Sequence, residues 1–283
     1  MRKKDDDSIP LMPAGSARLP TTQLRQLSEA APPINDPLHL IHITAAGWAA
    51  EILRSPIAQI EMRECGIFKR SLAYFFVARA AFRPRRGDVG TDDLTRFPVA
   101  FVIDPERLGT PAHVYPFDTG AAATGWYAGA QQSGVFLQDY ALSPDMDAVR
   151  RLIGWAFTTY SAYLDGQLDP GLEGRVAGHD YVACAYLRIA RLAGLGANQP
   201  DLRASAIEVA YNRHVPLAAH ARLVVLPEQL LEASEGGKTI GQRLVDLNVP
   251  FQTYRWIPGE TPDRHMEEVR RLVAAEVRST IVP

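Results

Sequence analysis

Three short segments carry residue types that could do chemistry. The first is His42-Ile43-Thr44 within LHLIHIT. Alternate side chains of a strand share a face, so His42 and Thr44 project together with Leu40, while Ile41 and Ile43 point the other way. A histidine beside a threonine near a strand end, with Gly47 close behind, can hydrogen-bond one polar ligand; a core histidine satisfied by backbone is the plainer alternative. The second segment runs from Arg63 to Arg86 and holds Arg63, Lys69, Arg70, Arg79, Arg83, Arg85 and Arg86 against one acid, Glu64. Such a run sets up a local positive field suited to phosphates. Arg79 stands apart, because it is embedded in YFFVARAAF and must find a partner or face a cleft. The third is Glu208 in ASAIEVAY. As a strand, this segment places Glu208 with Ala206 and Ala210 on one face, a carboxylate among small residues, as in a cleft.

Several look-alike motifs do not hold. SEGGKT resembles a phosphate loop, but Glu232 occupies the position of its first glycine, and Thr239 reads as a helix cap. His179-Asp180 has no partner histidines, and Asp180 is placed to cap a helix. His214 and His220 flank a Val-Pro-Leu turn with neither zincin nor nucleophile–base spacing. Asp118-Thr119-Gly120 reads as a turn. No cluster with metal-ligand spacing is present, so no metal is expected.

The elements that must position these residues follow from pattern. Thirty Lys and Arg balance 32 Asp and Glu, a net charge of −2 that excludes a polycation built wholesale for nucleic acid. No apolar run is long enough to span a bilayer, and MRKKDDDSIP lacks the apolar stretch of a secretory signal. Two cysteines, Cys65 and Cys184, suit reduced thiols and a cytoplasmic location. Residues 1–36 contain five prolines and no period and read as a flexible leader, with a short helix around Thr22 to Ala30. A single domain is expected over residues 37–283. LHLIHI, the block Leu72 to Phe76, FPVAFVI, AIEVAY, ARLVVL and PFQTYRW read as strands, and AAGWAAEILR as a short helix. Ser143-Pro144-Asp145 offers a helix start followed by an apolar stripe from Val149 through Leu164. A second helix follows Asp180, and Thr261-Pro262 opens a last one. The fold class is therefore α+β, with strands from both ends of the chain and helices inserted between them.

Taken in order, the three segments resemble the DarT-type DNA ADP-ribosyltransferases, a branch of the ADP-ribosyltransferase superfamily. That family opens with a His-x-Thr strand that holds NAD, matched by His42-Ile43-Thr44. An aromatic segment ending in a catalytic arginine follows, matched by Phe75-Phe76-Val77-Ala78-Arg79. Late in the chain comes Arg-x-x-Glu on a strand followed by Val-Pro, matched by Arg203 to Glu208 and Val215-Pro216-Leu217. The chain departs from that pattern where Ala78 and Ala80-Ala81 replace prolines and a serine, and where Arg203 lies five residues before Glu208. The stretch from Gly87 to Pro200 has no counterpart.

The resemblance implies an ADP-ribosyltransferase-like split sheet of mixed and antiparallel strands, and an enzyme that uses NAD as co-substrate. Glu208 and Arg79 are then the catalytic residues. His42, Thr44, Gly47, Tyr74 and Phe75 are the NAD-binding set, and Arg83, Arg85 and Arg86 form a nucleic-acid-binding patch. The acceptor is a macromolecule, with single-stranded DNA or RNA among the candidates. A toxin or defence role with a neutralising or activating protein partner would follow. Two alternatives stay open: an NAD glycohydrolase using water, and a non-catalytic nucleotide or nucleic-acid-binding module on the same fold.

Overall fold

A computed structural model describes residues 19–81, 89–194, 201–235 and 237–281. The fold is mixed α+β, with a sheet of mixed strand orientation and several helices. Where the sequence suggests one domain over residues 37–283, the chain divides into two compact units built from interleaved segments. Among the described residues, one comprises 36–64, 70–81, 89–112, 209–235 and 237–281; the other comprises 19–35, 65–69, 113–194 and 201–208.

The first of these is organised by a sheet. Its main strands are β1 (Leu40–Ala45), β2 (Arg70–Val77), β3 (Pro98–Ile103), β4 (Glu208–Tyr211, which enters this unit at Val209), β5 (Ala221–Pro227) and β6 (Phe251–Tyr254), in the order β6-β5-β3-β1-β2-β4. β1 runs antiparallel to both β2 and β3, in register Leu40 with Val77 and His42 with Phe101. β3 is antiparallel to β5, whereas β5 and β6 are parallel. Every residue of β3 is buried, as its unbroken apolar run requires of a strand covered on both faces. Each of these strands lies where the apolar runs predict one.

Directly after β1 comes the helix Ala46–Arg54, which buries Ala46, Ala49, Ala50, Ile52 and Leu53. The C-terminal helix Pro262–Ser279 starts with Pro262 in its first turn and buries Met266, Val269, Val273 and Val277. Tyr254 donates its hydroxyl to the Pro98 carbonyl at 2.7 Å, tying the far strand to the start of β3.

The other unit is mainly helical. Helix Met146–Ala156 carries the predicted stripe, but its N-cap is Asp145, whose Oδ1 accepts from the Ala148 N–H at 2.7 Å. The helix stops earlier than the stripe suggests: Thr158 adopts φ 67°, and Tyr160–Leu164 forms a separate turn of helix. Tyr181–Ala190 follows Asp180 in the expected place and buries Val182, Ala185, Tyr186 and Ile189, but the Asp180 side chain makes no capping hydrogen bond. Part of the expected leader is ordered. Helix Leu24–Glu29 buries Leu24 and packs on Met146–Ala156, and Arg151 Nη1 donates to the Glu29 and Ala31 carbonyls. Gly154 permits this approach, because a Cβ built there would sit 2.3 Å from the Pro32 carbonyl oxygen. No described helix is long and apolar enough to cross a membrane.

Candidate functional site

A cavity of about 510 Å³ opens beside β1 in the sheet-containing unit. His42, Ile43 and Thr44 of β1 line it, together with Tyr74 of β2, Trp48 and Glu51 of the following helix and Ser55 at its C-cap. Gln59, Glu61 and Arg63 complete the polar part of its wall.

His42 is the best-defined group in that wall. Its Nδ1 lies 2.9 Å from the Tyr74 carbonyl oxygen. A carbonyl only accepts, so Nδ1 carries the proton and donates it. Burial depresses the His42 pKa below the ordinary histidine value; the Tyr74 carbonyl opposes the depression and the Arg63 charge adds to it. The ring is therefore a neutral imidazole at pH 7, and its Nε2 presents a lone pair rather than a proton. Phe75 and Phe101 hold the ring, with centroids 5.7 and 6.1 Å away.

The other residues proposed from sequence fall into several roles. Thr44 and Tyr74 share the cavity wall with His42. Phe75 is buried, packed edge-on against Tyr211 at 6.0 Å, and belongs to the core behind the histidine. Gly47 sits in the helix with Thr95 close by, where a Cβ would meet Thr95 Cβ at 3.1 Å, and it is not among the described residues of the cavity wall. Arg79 is buried just beyond β2, follows Ala78 in a left-handed conformation (φ 54°), and is not among the described residues of the cavity wall. Arg83, Arg85 and Arg86 lie outside the described residues.

Glu208 stands in the helical unit, as its last residue and the first of β4. It is 4 % exposed. Thr119 holds both carboxylate oxygens: its hydroxyl donates to Oε1 at 2.6 Å and its N–H to Oε2 at 3.2 Å. His113 Nε2 lies 3.5 Å from Oε1. Burial pushes the Glu208 pKa up to about 7, against the two Thr119 bonds that favour the anion. Next to it, Asp118 caps helix Thr119–Ala123 through the Ala121 N–H at 2.8 Å. Its pKa rises to about 6, first through burial and then through the Glu208 charge. Arg203 balances these acids. It grips Asp201 with Nε and Nη2 at 2.9 and 2.8 Å, reaches Asp118 at 3.5 Å, and lies over the Trp126 ring at 5.0 Å.

A buried carboxyl titrating near neutrality can both take and release a proton, the property required of a general acid or base. Among the described residues, no group of three or more His, Cys, Asp or Glu side chains is placed to hold a metal ion.

Sequence reasoning missed Thr119 and Trp48. Asp118-Thr119-Gly120 has the form of a capped turn, and nothing local reveals that the threonine binds a carboxylate 89 residues away. Trp48 did leave a trace: it falls outside the apolar stripe of its helix, and it is 54 % exposed. Comparison with protein-family models, with curated proteins and with solved structures finds no match to this chain.

Proposed function

We propose that this protein is an NAD-dependent ADP-ribosyltransferase of DarT-like type, with an ADP-ribosyltransferase-like fold, moving ADP-ribose from NAD to a macromolecular acceptor. The observation that carries the reading is the state of His42: a neutral imidazole with Nε2 as acceptor, beside the Thr44 hydroxyl, on the wall of a cavity of about 510 Å³. A ribose diol offers hydroxyl donors to such a pair. In the reaction, the acceptor nucleophile bonds to the ribose C1′ while the bond to nicotinamide breaks, and nicotinamide leaves neutral with the bonding electrons. The transition state resembles an oxocarbenium ion, which a carboxylate stabilises. Glu208 is assigned that role and the acceptance of the nucleophile's proton, which a pKa near 7 suits. Arg79 is assigned to polarise the acceptor. Arg83, Arg85 and Arg86 are assigned to a nucleic-acid acceptor, whose binding would weaken as salt rises.

The test is nicotinamide release from NAD by the wild type and Glu208→Gln, with and without single-stranded oligonucleotide. Release by the wild type alone, with a mass gain on the oligonucleotide, supports the reading and names the acceptor. Release with free ADP-ribose as the only product points to the glycohydrolase. Absence of release together with absence of NAD-dependent thermal stabilisation refutes the reading, since a ligand bound only by the native state must raise its stability.

A further inference from the structure

We infer that Arg63, seated on the ring of Trp48, is the group by which this cavity recognises a diphosphate. The inference rests on reading the cavity as a nucleotide site and deepens it by naming the residue that takes the phosphates.

The cavity wall carries charges of both signs. Glu51 and Glu61 supply carboxylates, His42 is neutral, and Arg63 is the only cation among the described lining residues. A nucleotide bound here has sugar hydroxyls, which carboxylates and His42 accept from, and phosphates, which carboxylates repel. The phosphates must therefore lie at Arg63.

Arg63 is prepared for the task. Its guanidinium carbon lies 4.2 Å from the centroid of Trp48. That contact holds the cation by its attraction to the ring, and a guanidinium presents a planar fork of N–H donors that suits phosphate oxygens. A side chain already resting on a ring loses less rotamer freedom when it binds than one waving in water. The placement of Trp48 supports this: an indole 54 % exposed, outside the buried stripe of its helix, contributes little to folding. Phe68, Tyr74 and other aromatics along the chain pack more deeply, whereas Trp48 is left at the cavity wall with the arginine over it.

The test is calorimetric titration of the full chain at low salt with NAD, ADP and nicotinamide riboside, on wild type, Arg63→Gln, Trp48→Ala and Trp48→Phe. Both side chains are exposed, so unfolding does not confound the variants. Arg63→Gln is expected to weaken NAD and ADP roughly tenfold, the scale of one charge-assisted contact at an open site, and to leave nicotinamide riboside unchanged. Trp48→Ala should weaken NAD and ADP severalfold, and Trp48→Phe should restore most of the loss. NAD binding unchanged in Arg63→Gln overturns the assignment while leaving the enzymatic reading intact. Arg63-dependent ADP binding without NAD binding or nicotinamide release upholds the diphosphate site and refutes ADP-ribosyl transfer. Binding of neither ligand overturns both.

Discussion

Replacing Glu208 by glutamine should make the protein more stable above neutral pH and, on the proposed reading, abolish nicotinamide release. Glu208 has an ordinary pKa of 4.5 in the unfolded chain and about 7 in the native state. The folded protein thus holds the proton more tightly than the unfolded one. The stability associated with that proton is complete below pH 4.5 and is lost as pH rises through 7; by pH 8 the deficit is about 3 kcal/mol. Glutamine keeps the neutral shape without the charge. Its oxygen can accept from the Thr119 N–H, while its amide can donate to the Thr119 hydroxyl, reversing the 2.6 Å bond. Exchanging a charge-assisted bond for neutral ones costs about 1 kcal/mol. Asp118 adds to the gain, since part of its elevation comes from the Glu208 charge. The net expectation is that Glu208→Gln is more stable than wild type by about 2 kcal/mol at pH 8 and within about 1 kcal/mol of it at pH 4. Urea unfolding at unit pH steps, followed by tryptophan fluorescence and circular dichroism, measures the difference. Trp126 and Trp155 report on the unit that holds Glu208. A variant less stable than wild type at pH 8 would refute the reasoning, because the ionised carboxylate would then be a structural asset. A residue that lowers stability in its working form and whose removal abolishes activity is what a functional site leads one to expect.

Other consequences are open to direct measurement. Thr119→Val removes the hydroxyl that donates to Glu208 Oε1, so it should lower stability by about 1–3 kcal/mol and raise the Glu208 pKa further. Thr119→Ser should restore both, as carbon-13 titration of glutamate carboxyls would show; an unmoved midpoint in the valine variant counts against the bond. Arg203→Lys loses the paired contact to Asp201 and the seat on Trp126, at a cost of about 1.5–3 kcal/mol in urea unfolding, and drives Asp118 higher. Stability equal to wild type would show that a point charge suffices. Gly154→Ala should destabilise by about 1–2 kcal/mol, because overlap with the Pro32 carbonyl outweighs the gain in helix propensity. Hydrogen exchange should quicken across residues 24–35, and a rise in stability would mean that the segment yields without penalty.

Much of the architecture is legible in the chain itself. The uninterrupted apolar run from Pro98 to Ile103 specifies a strand buried on both faces, and Thr261-Pro262 marks a helix start by chemistry that needs no distant partner. Ends of elements are less legible. The stripe from Val149 continues smoothly to Leu164, yet the helix ends at Ala156 and Thr158 turns to a left-handed backbone, a break that the hydrophobic periodicity does not carry.

The candidate site divides along the same line. His42 and Thr44 are paired by the alternation of a strand, which is local, so their shared wall follows from spacing alone. Whether His42 bears a charge is not local. It follows from the Tyr74 carbonyl, brought alongside by the β1–β2 ladder, and from burial that only packing creates. Glu208 is likewise visible as a carboxylate among small residues, but its two donors come from Thr119 and its neutral tendency from enclosure. Trp48 and Arg63 are an unremarkable helix residue and one basic residue of seven until the fold lays one over the other. Which residues share a face of a strand or helix can be read from the chain alone, because backbone geometry sets those periods. Tertiary structure alone decided which groups lose water and meet partners across the chain, and protonation and ligand recognition depend on both.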